Sequence, residues 1–260
     1  MLNLYATQRN FKRNDTMTSH ADVIRIFIGY DQKLPVLFNV AQHSIIRYCT
    51  MPVAITPIHM RHLTMFNRER TAIQSTEFSF SRFLTPYLCN FEGWALFMDN
   101  DVIARGDLSE VWNLRNDDYA VMCVKHDHQP TSAVKFLGEK QTPYPKKNWS
   151  SVMLMNCKKC TALTPDYVNS ASGLELHQFK WLKSEDEIGD LPLQWNFLAD
   201  YYQHDESAKL IHYTEGGPYF EATRNVDFAD EWFENFRSAA SCVDSDYAAL
   251  TAEALKRDEG

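Results

Sequence analysis

The 260-residue chain has no apolar run approaching the ~20 residues that span a bilayer, which excludes a transmembrane helix. Its opening residues, MLNLYATQRNFKRND, lack the apolar stretch of a secretory signal, so the expectation is a soluble, cytoplasmic protein. Positive charge is also scarce. Lys and Arg number 26 against 34 Asp and Glu, a net charge of −8, and 10 acidic against 4 basic residues from Glu221 onward carry −6 of it. A polyanion-binding surface is therefore not expected near that end, which argues against nucleic acid and against a basic anchor on acidic lipid. There is no internal repeat and no low-complexity linker. Hydrophobic residues make up 45%, enough for a full core, which excludes wholesale disorder.

A disulfide framework is missing as well. Cys49, Cys89, Cys123, Cys157, Cys160 and Cys242 are too few in so long a chain and read as reduced core residues. Cys157 and Cys160 have zinc-knuckle spacing, with Cys123, His126 and His128 as further donors. Cys123, however, lies in an apolar run that reads as a strand, and a lone CxxC pair is a weak signal.

What is present is an alternation of strand and helix patterns. Val23 to Ile28 closed by Gly29 reads as a buried strand. Leu37, Val40, Ala41, Ile45 and Tyr48 recur at helical spacing, and Val53 to Ile58 forms a second strand, which together suggest a parallel crossover. Phe80, Phe83, Leu84, Tyr87 and Leu88 predict an amphipathic helix over Thr76 to Asn90, with Pro86 awkward inside it. Trp94 to Met98 reads as a central strand, with further strands at Tyr119–Val124, Ser151–Met155 and Lys209–Tyr213 and a helix around Trp195–Tyr202. The pattern is α/β. It divides into a loose tail over 1–22, a catalytic body over 23–220 and an acidic, helical extension over 221–260.

The most informative stretch is WALFMDNDV, Trp94 to Val102. Asp99 and Asp101 stand two residues apart at the C-terminal end of an apolar central strand, where ligands of open α/β sheets bind. Residues at i and i+2 of an extended segment point the same way, so both carboxylates can face one ion. Hard oxygen ligands suit Mg²⁺ or Mn²⁺, which keep positions open for diphosphate oxygens. An arginine on a helix beside such a pair, here Arg82, can hold a sugar hydroxyl or a carboxylate through its rigid fork. His212 ends an apolar strand and could offer a neutral imidazole nitrogen. Gly216 and Gly217 after it allow close backbone approach to phosphates. Asp127, in Lys125 to His128 just past a strand, is a candidate for the sugar or acceptor, and Trp149, Trp195 and Tyr219 offer stacking faces.

Several of these segments resemble glycosyltransferase family 8, which includes glycogenin and bacterial lipopolysaccharide galactosyl- and glucosyltransferases. The resemblance runs from about Ile24 to Phe220. Gly29-Tyr30-Asp31 resembles the end of the family's first nucleotide-binding strand, and Phe80 to Leu84 the helix whose arginine reaches the donor sugar. Phe97 to Val102, followed by Gly106-Asp107-Leu108 and Val111-Trp112, is similar to "LDxDxxVxxDLxxLW". Trp149 to Asn156 stands in the place of "FNAGVLLIN", and Ile211 to Gly216 matches the terminal "HxxG" segment. The resemblance implies a GT-A fold, a Rossmann-like mixed and mainly parallel sheet flanked by helices. It implies an enzyme that transfers a sugar, with retention, from a nucleotide-sugar donor (usually UDP-linked) to a carbohydrate or glycolipid acceptor, as in polysaccharide biosynthesis. Asp99, Asp101 and His212 carry over as ligands of Mn²⁺ or Mg²⁺. Gly29, Tyr30, Asp31, Arg82, Asn100, Ser150, Ser151, Gly216 and Gly217 carry over as the donor pocket.

The match also breaks. The family's "HxxGxxKPW" lysine, which contacts the diphosphate, is absent after His212, leaving Lys146 or Lys147, backbone amides or the metal to stabilise the leaving group. "DQxxLN" is replaced by Leu191 to Asn196, in which Asn196 alone falls in register and Gln194 serves only if the backbone shifts. Two other readings stay open. A sugar-1-phosphate nucleotidyltransferase would carry a Gly-rich basic loop where this chain has Gly29-Tyr-Asp-Gln-Lys33, and a non-catalytic carbohydrate-binding relative would keep the fold alone. A glycoside hydrolase fits poorly, because its two carboxylates flank a bond whereas these converge on one side.

Overall fold

The computed structural model describes residues 22–69, 76–127 and 145–241. The sequence-predicted tail up to residue 21, His128, Cys242 and the rest of the acidic end lie outside the described residues. The main sheet has six strands in the order β2 (Val53–Ile58), β1 (Ile24–Gly29), β3 (Trp94–Met98), β6 (Val152–Asn156), β5 (Val121–Cys123), β7 (Ile188–Asp190). Only β6 runs against the others, pairing antiparallel with both β3 and β5, so the sheet is mainly parallel.

Alternation sorts each strand's side chains onto two apolar faces. Ile24, Ile26 and Ile28 of β1, with Leu96 and Met98 of β3, pack against Phe38, Ala41 and Ile45 of α1 (Pro35–Tyr48). Phe27 and Phe97 point to the opposite face, where Phe78, Phe80, Phe83 and Leu84 cover them. Pro57 is tolerated inside β2 because that strand is an edge and pairs only with β1.

A second, three-stranded sheet holds β4 (Val102–Ala104), β9 (Leu210–His212) and β8 (Phe197–Leu198), in that order. It packs on α1 and on α6 (Ala229–Ala240) through Leu37, Val40, Ile103, Ile211, Phe228 and Trp232. The α6 helix is held further by the Arg47–Glu234 ion pair (2.7 Å) and by Asn235 against His43 Nδ1 (3.1 Å). Short helices α2 (Thr85–Leu88), α3 (Leu108–Trp112), α4 (Pro165–Ser170) and α5 (Gly173–His177) complete the layers. No helix among the described residues is long and apolar enough to cross a membrane.

Two predicted helices are not there, for identifiable reasons. Over 76–90 the chain forms a 3₁₀ turn at Ser81–Leu84 and then the single turn of α2. A continuous α-helix would need the Ser79 carbonyl for the Phe83 amide. Arg82 Nε takes that carbonyl instead (3.1 Å), and the Phe83 amide falls back to Phe80 (3.1 Å). Pro86 then has no N–H for the Arg82 carbonyl, which accepts from the Thr85 hydroxyl (2.8 Å). Around 195–202 the chain makes a 3₁₀ turn at Leu193–Trp195 and then β8, because Phe197 and Leu198 pair in register with Ile211 and His212.

Candidate functional site

The site grows from the corner where the chain leaves the main sheet for the small one. β3 ends at Met98, Asp99-Asn100-Asp101 makes the turn, and β4 starts at Val102. The Asp99 amide donates to the Ser151 carbonyl (2.8 Å), which pins the turn to the start of β6. Val102 pairs with His212, and the Tyr213 amide donates to the Asp101 carbonyl (2.9 Å). Residues more than a hundred positions apart thus meet at one point. Ligand atoms of Asp99, Asp101 and His212 all lie within 4.8 Å of one another, the group of His, Cys, Asp and Glu found among the described residues that could hold a metal ion.

The orientation of the His212 ring follows from its neighbours. It is 2% exposed, and Nδ1 lies 3.0 Å from Asn196 Oδ1. The Asn196 amide cannot be turned round, since its Nδ2 already donates to the Asn148 carbonyl (3.2 Å) and to Ser151 Oγ (2.9 Å). In the neutral ring Nδ1 must therefore carry the proton, leaving a lone pair on Nε2, which faces Asp101 Oδ1 at 3.4 Å. The donor set, two hard carboxylates and one imidazole nitrogen, suits Mn²⁺ or Mg²⁺. Asn196→Ala is expected to lower Mn²⁺ affinity about 10- to 100-fold by freeing the ring, read as a weaker Mn²⁺-induced rise in thermal midpoint.

Arg82 is buried against the same corner. Its Nη1 lies 2.7 Å from Asp99 Oδ1 and 3.0 Å from the Ser150 carbonyl, and its guanidinium faces the rings of Phe78 and Phe97. The fork is therefore spent largely on positioning Asp99. Ser150 and Ser151 hold this framework from behind. Ser150 Oγ meets His177 Nδ1 (2.7 Å), and Ser151 Oγ donates to the Asn148 carbonyl (2.5 Å).

Other expected residues fall at varied distances. Gly29 ends β1 under the Phe78 ring, so close that a Cβ there would clash at 2.3 Å. Tyr30 lies beside His59, ring centroids 4.8 Å apart, and the buried Asp31 carboxylate accepts from the Lys33 amide (2.9 Å). Asp127 is exposed, its carbonyl accepting from Tyr201 (3.0 Å). Gln194 stands apart from the cluster. Its carbonyl accepts from Lys209 (2.9 Å), at the end of β9 remote from His212. Trp195 is 1% exposed and belongs to the core, so it presents no stacking face, and Trp149 Nε1 donates to the His126 carbonyl (2.8 Å). Lys146 is committed to Glu185 and to the Gln178 carbonyl, and Lys147, next to Asn148 in the chain, is 5% exposed. Among the cysteines, burial pushes the Cys123 and Cys160 thiols up, and Cys160 contacts the Ala120 carbonyl (3.3 Å).

Two residues here carry no local sequence pattern that marks them. Asn148 sits in a left-handed conformation (φ 64°), accepts from Thr214 Oγ1 (3.2 Å) and leaves its buried Nδ2 without a hydrogen bond. The sequence suggests a ring face for Tyr219, whereas the structure turns its hydroxyl inward, within reach of the Asp101 charge. Burial, with the Asp101 charge adding to it, holds that phenol well above its ordinary range. No sequence signal marks an unspent donor, because the lack of a partner is a property of the folded surroundings.

Residues 39–218 match the family model described as Glycosyl transferase family 8. The chain is 44% identical over 225 residues to Protein CDI of Arabidopsis thaliana, covering 83% of this chain and 86% of that protein. Among solved structures it is similar to the bifunctional glycosyltransferase WbbM (TM-score 0.57, 14% identity, 85% of this chain and 50% of that one). It is also similar to the glycosyltransferase GlyE of Streptococcus pneumoniae (TM-score 0.56, 15% identity, 91% and 64%). A third is the galactosyltransferase LgtC, solved with donor and acceptor sugar analogs (TM-score 0.53, 13% identity, 87% and 99%). The chain spans half of the WbbM chain and under two thirds of the GlyE chain, and these likenesses concern the fold.

Proposed function

The chain belongs to glycosyl transferase family 8 and is a glycosyltransferase; on that footing, we propose that it moves a sugar from a UDP-linked donor to a hydroxyl of a carbohydrate or glycolipid acceptor, with a divalent metal and with retention. The observation that carries this reading is the convergence of Asp99, Asp101 and the Nε2 lone pair of His212. Asp99, Asp101 and His212 would hold Mn²⁺ or Mg²⁺, which when bound neutralises charge on the diphosphate.

The chain's own residues do the rest by positioning. Arg82 fixes Asp99 and faces the donor side of the corner, Asn196 fixes the imidazole, and Ser150 and Ser151 hold the wall between them. Tyr30 and Asp31 at the end of β1 would meet the nucleotide. Asn100, Gly216 and Gly217 would line the approach of the phosphates. Asp127 and Trp149 belong to the acceptor side. The bond from the anomeric carbon to the diphosphate oxygen breaks, and one from that carbon to the acceptor oxygen forms on the same face. The acceptor proton passes to the leaving phosphate oxygen, so no carboxylate nucleophile is required.

Incubation with a panel of nucleotide sugars tests the reading. The expected result is Mn²⁺-dependent release of a nucleoside diphosphate, abolished by EDTA. Release of pyrophosphate from sugar phosphate and UTP would point to a nucleotidyltransferase instead, and donor binding without turnover would point to a non-catalytic relative.

A further inference from the structure

Tyr219 is a partly buried residue whose hydroxyl is turned inward, seven residues beyond His212, with that polar atom unused. Its ring is clamped between Trp232 of α6 (centroids 5.4 Å) and Phe220 (4.7 Å). Gly217 lies beneath, where a Cβ would come within 2.3 Å of Tyr219 Cε1, so the ring occupies the space that this glycine leaves. Gly216, at φ 123°, turns the chain so that the ring can fold back. The hydroxyl is thereby set in the interior, close enough to Asp101 to feel its charge. The Gly217 amide approaches the phenol oxygen and can only donate to it, so the phenol's own O–H has no acceptor among the described residues.

Packing alone does not account for this group. Phenylalanine would fill the same space without burying an unpaired hydroxyl, which disfavours the folded state. Nor is the hydroxyl an isolated case: Asn100 Nδ2, between the two aspartates, and Asn148 Nδ2, beside Thr214, are also buried and unspent. Three neutral donors near one acidic cluster suit a ligand rich in anionic oxygens. The segment from Gly216 to Phe220 supplies no cation of its own, Lys146 is committed to Glu185, and Arg82 to Asp99.

We propose that the Tyr219 hydroxyl donates a hydrogen bond to the terminal phosphate of a nucleoside diphosphate bound at Asp99, Asp101 and His212. This rests on the donor reading above and adds the group that meets the leaving phosphate from the α6 side. Tyr219 takes up by hydrogen bonding part of the negative charge that the departing phosphate gains.

Calorimetric titration of UDP and UMP, and in parallel GDP and GMP, into wild type and Tyr219→Phe in Mn²⁺ tests it. The variant is expected to bind the diphosphate about 10- to 100-fold more weakly, with the monophosphate and Mn²⁺ alone unchanged. The ligand-free thermal midpoint should stay the same or rise, since the ring packing is kept and an unpaired hydroxyl is removed. Equal diphosphate affinity, an equal loss for mono- and diphosphate, or a fall in the midpoint would each overturn the proposal. If wild type binds none of these nucleotides in Mn²⁺, the donor reading fails first and takes this one with it.

Discussion

Asp101→Ala will lower Mn²⁺-dependent transfer by on the order of 10³-fold and leave the protein folded. Loss of one of three ligands removes several kcal/mol of charge stabilisation at the departing diphosphate, and each 1.36 kcal/mol is a factor of ten in rate. The fold is spared because the structural work of residue 101 is done by its backbone, whose carbonyl accepts from Tyr213 and whose chain leads into the Val102–His212 pairing. The side chain also faces the His212 lone pair and shares a corner with Asp99. Because the backbone does the structural work, the thermal midpoint in EDTA should hold. Its Mn²⁺-induced increase should disappear. Undiminished transfer by the variant in EDTA would contradict the assignment.

Arg82→Ala will instead act on stability. The Arg82–Asp99 pair is nearly inaccessible, with the two side chains 7% and 14% exposed. Removing one partner of such a pair costs about 3–5 kcal/mol, because the other charge is left buried without compensation. The Ser79 and Ser150 carbonyls lose their donor in the same step, and the tight 79–85 turn loses the group that organises it. For a protein of this size that amounts to a fall of roughly 10 °C in thermal midpoint. Arg82→Lys should recover only part of it, since an ammonium cannot reproduce the planar fork. Denaturant unfolding of the three proteins checks the order wild type, Lys, Ala. An alanine variant within about 1 kcal/mol of wild type would show that the pair does not hold this corner.

The parts of this site that could be read from the sequence are those built from local pattern. A continuous apolar strand ending in Asp99-Asn100-Asp101 and a short strand ending in His212 announce themselves by hydropathy and residue type. So does the Ile24–Gly29 strand with its crossover helix. What escaped depends on side chains that capture distant groups. The periodicity of Phe80, Phe83, Leu84 and Tyr87 is that of a helix, yet Arg82 diverts the Ser79 carbonyl and the helix does not form. Trp195 to Tyr202 likewise looks helical until Phe197 and Leu198 are claimed by β9. Asn196 is legible in the sequence only as the residue in register with the family's "DQxxLN". Its three contacts, to His212, Asn148 and Ser151, suggest that it acts through the imidazole. Asn148 and the Tyr219 hydroxyl had no pattern to announce them.

Titration of UDP into the wild-type protein, once in Mn²⁺ and once in EDTA, goes to the centre of the matter. If Asp99, Asp101 and His212 bind the donor diphosphate through a divalent ion, the affinity should fall by about a hundredfold, close to 3 kcal/mol, when the ion is removed. Asp101→Ala should show the weaker affinity under both conditions. UDP binding of equal strength in Mn²⁺ and in EDTA would contradict the metal-bridged site.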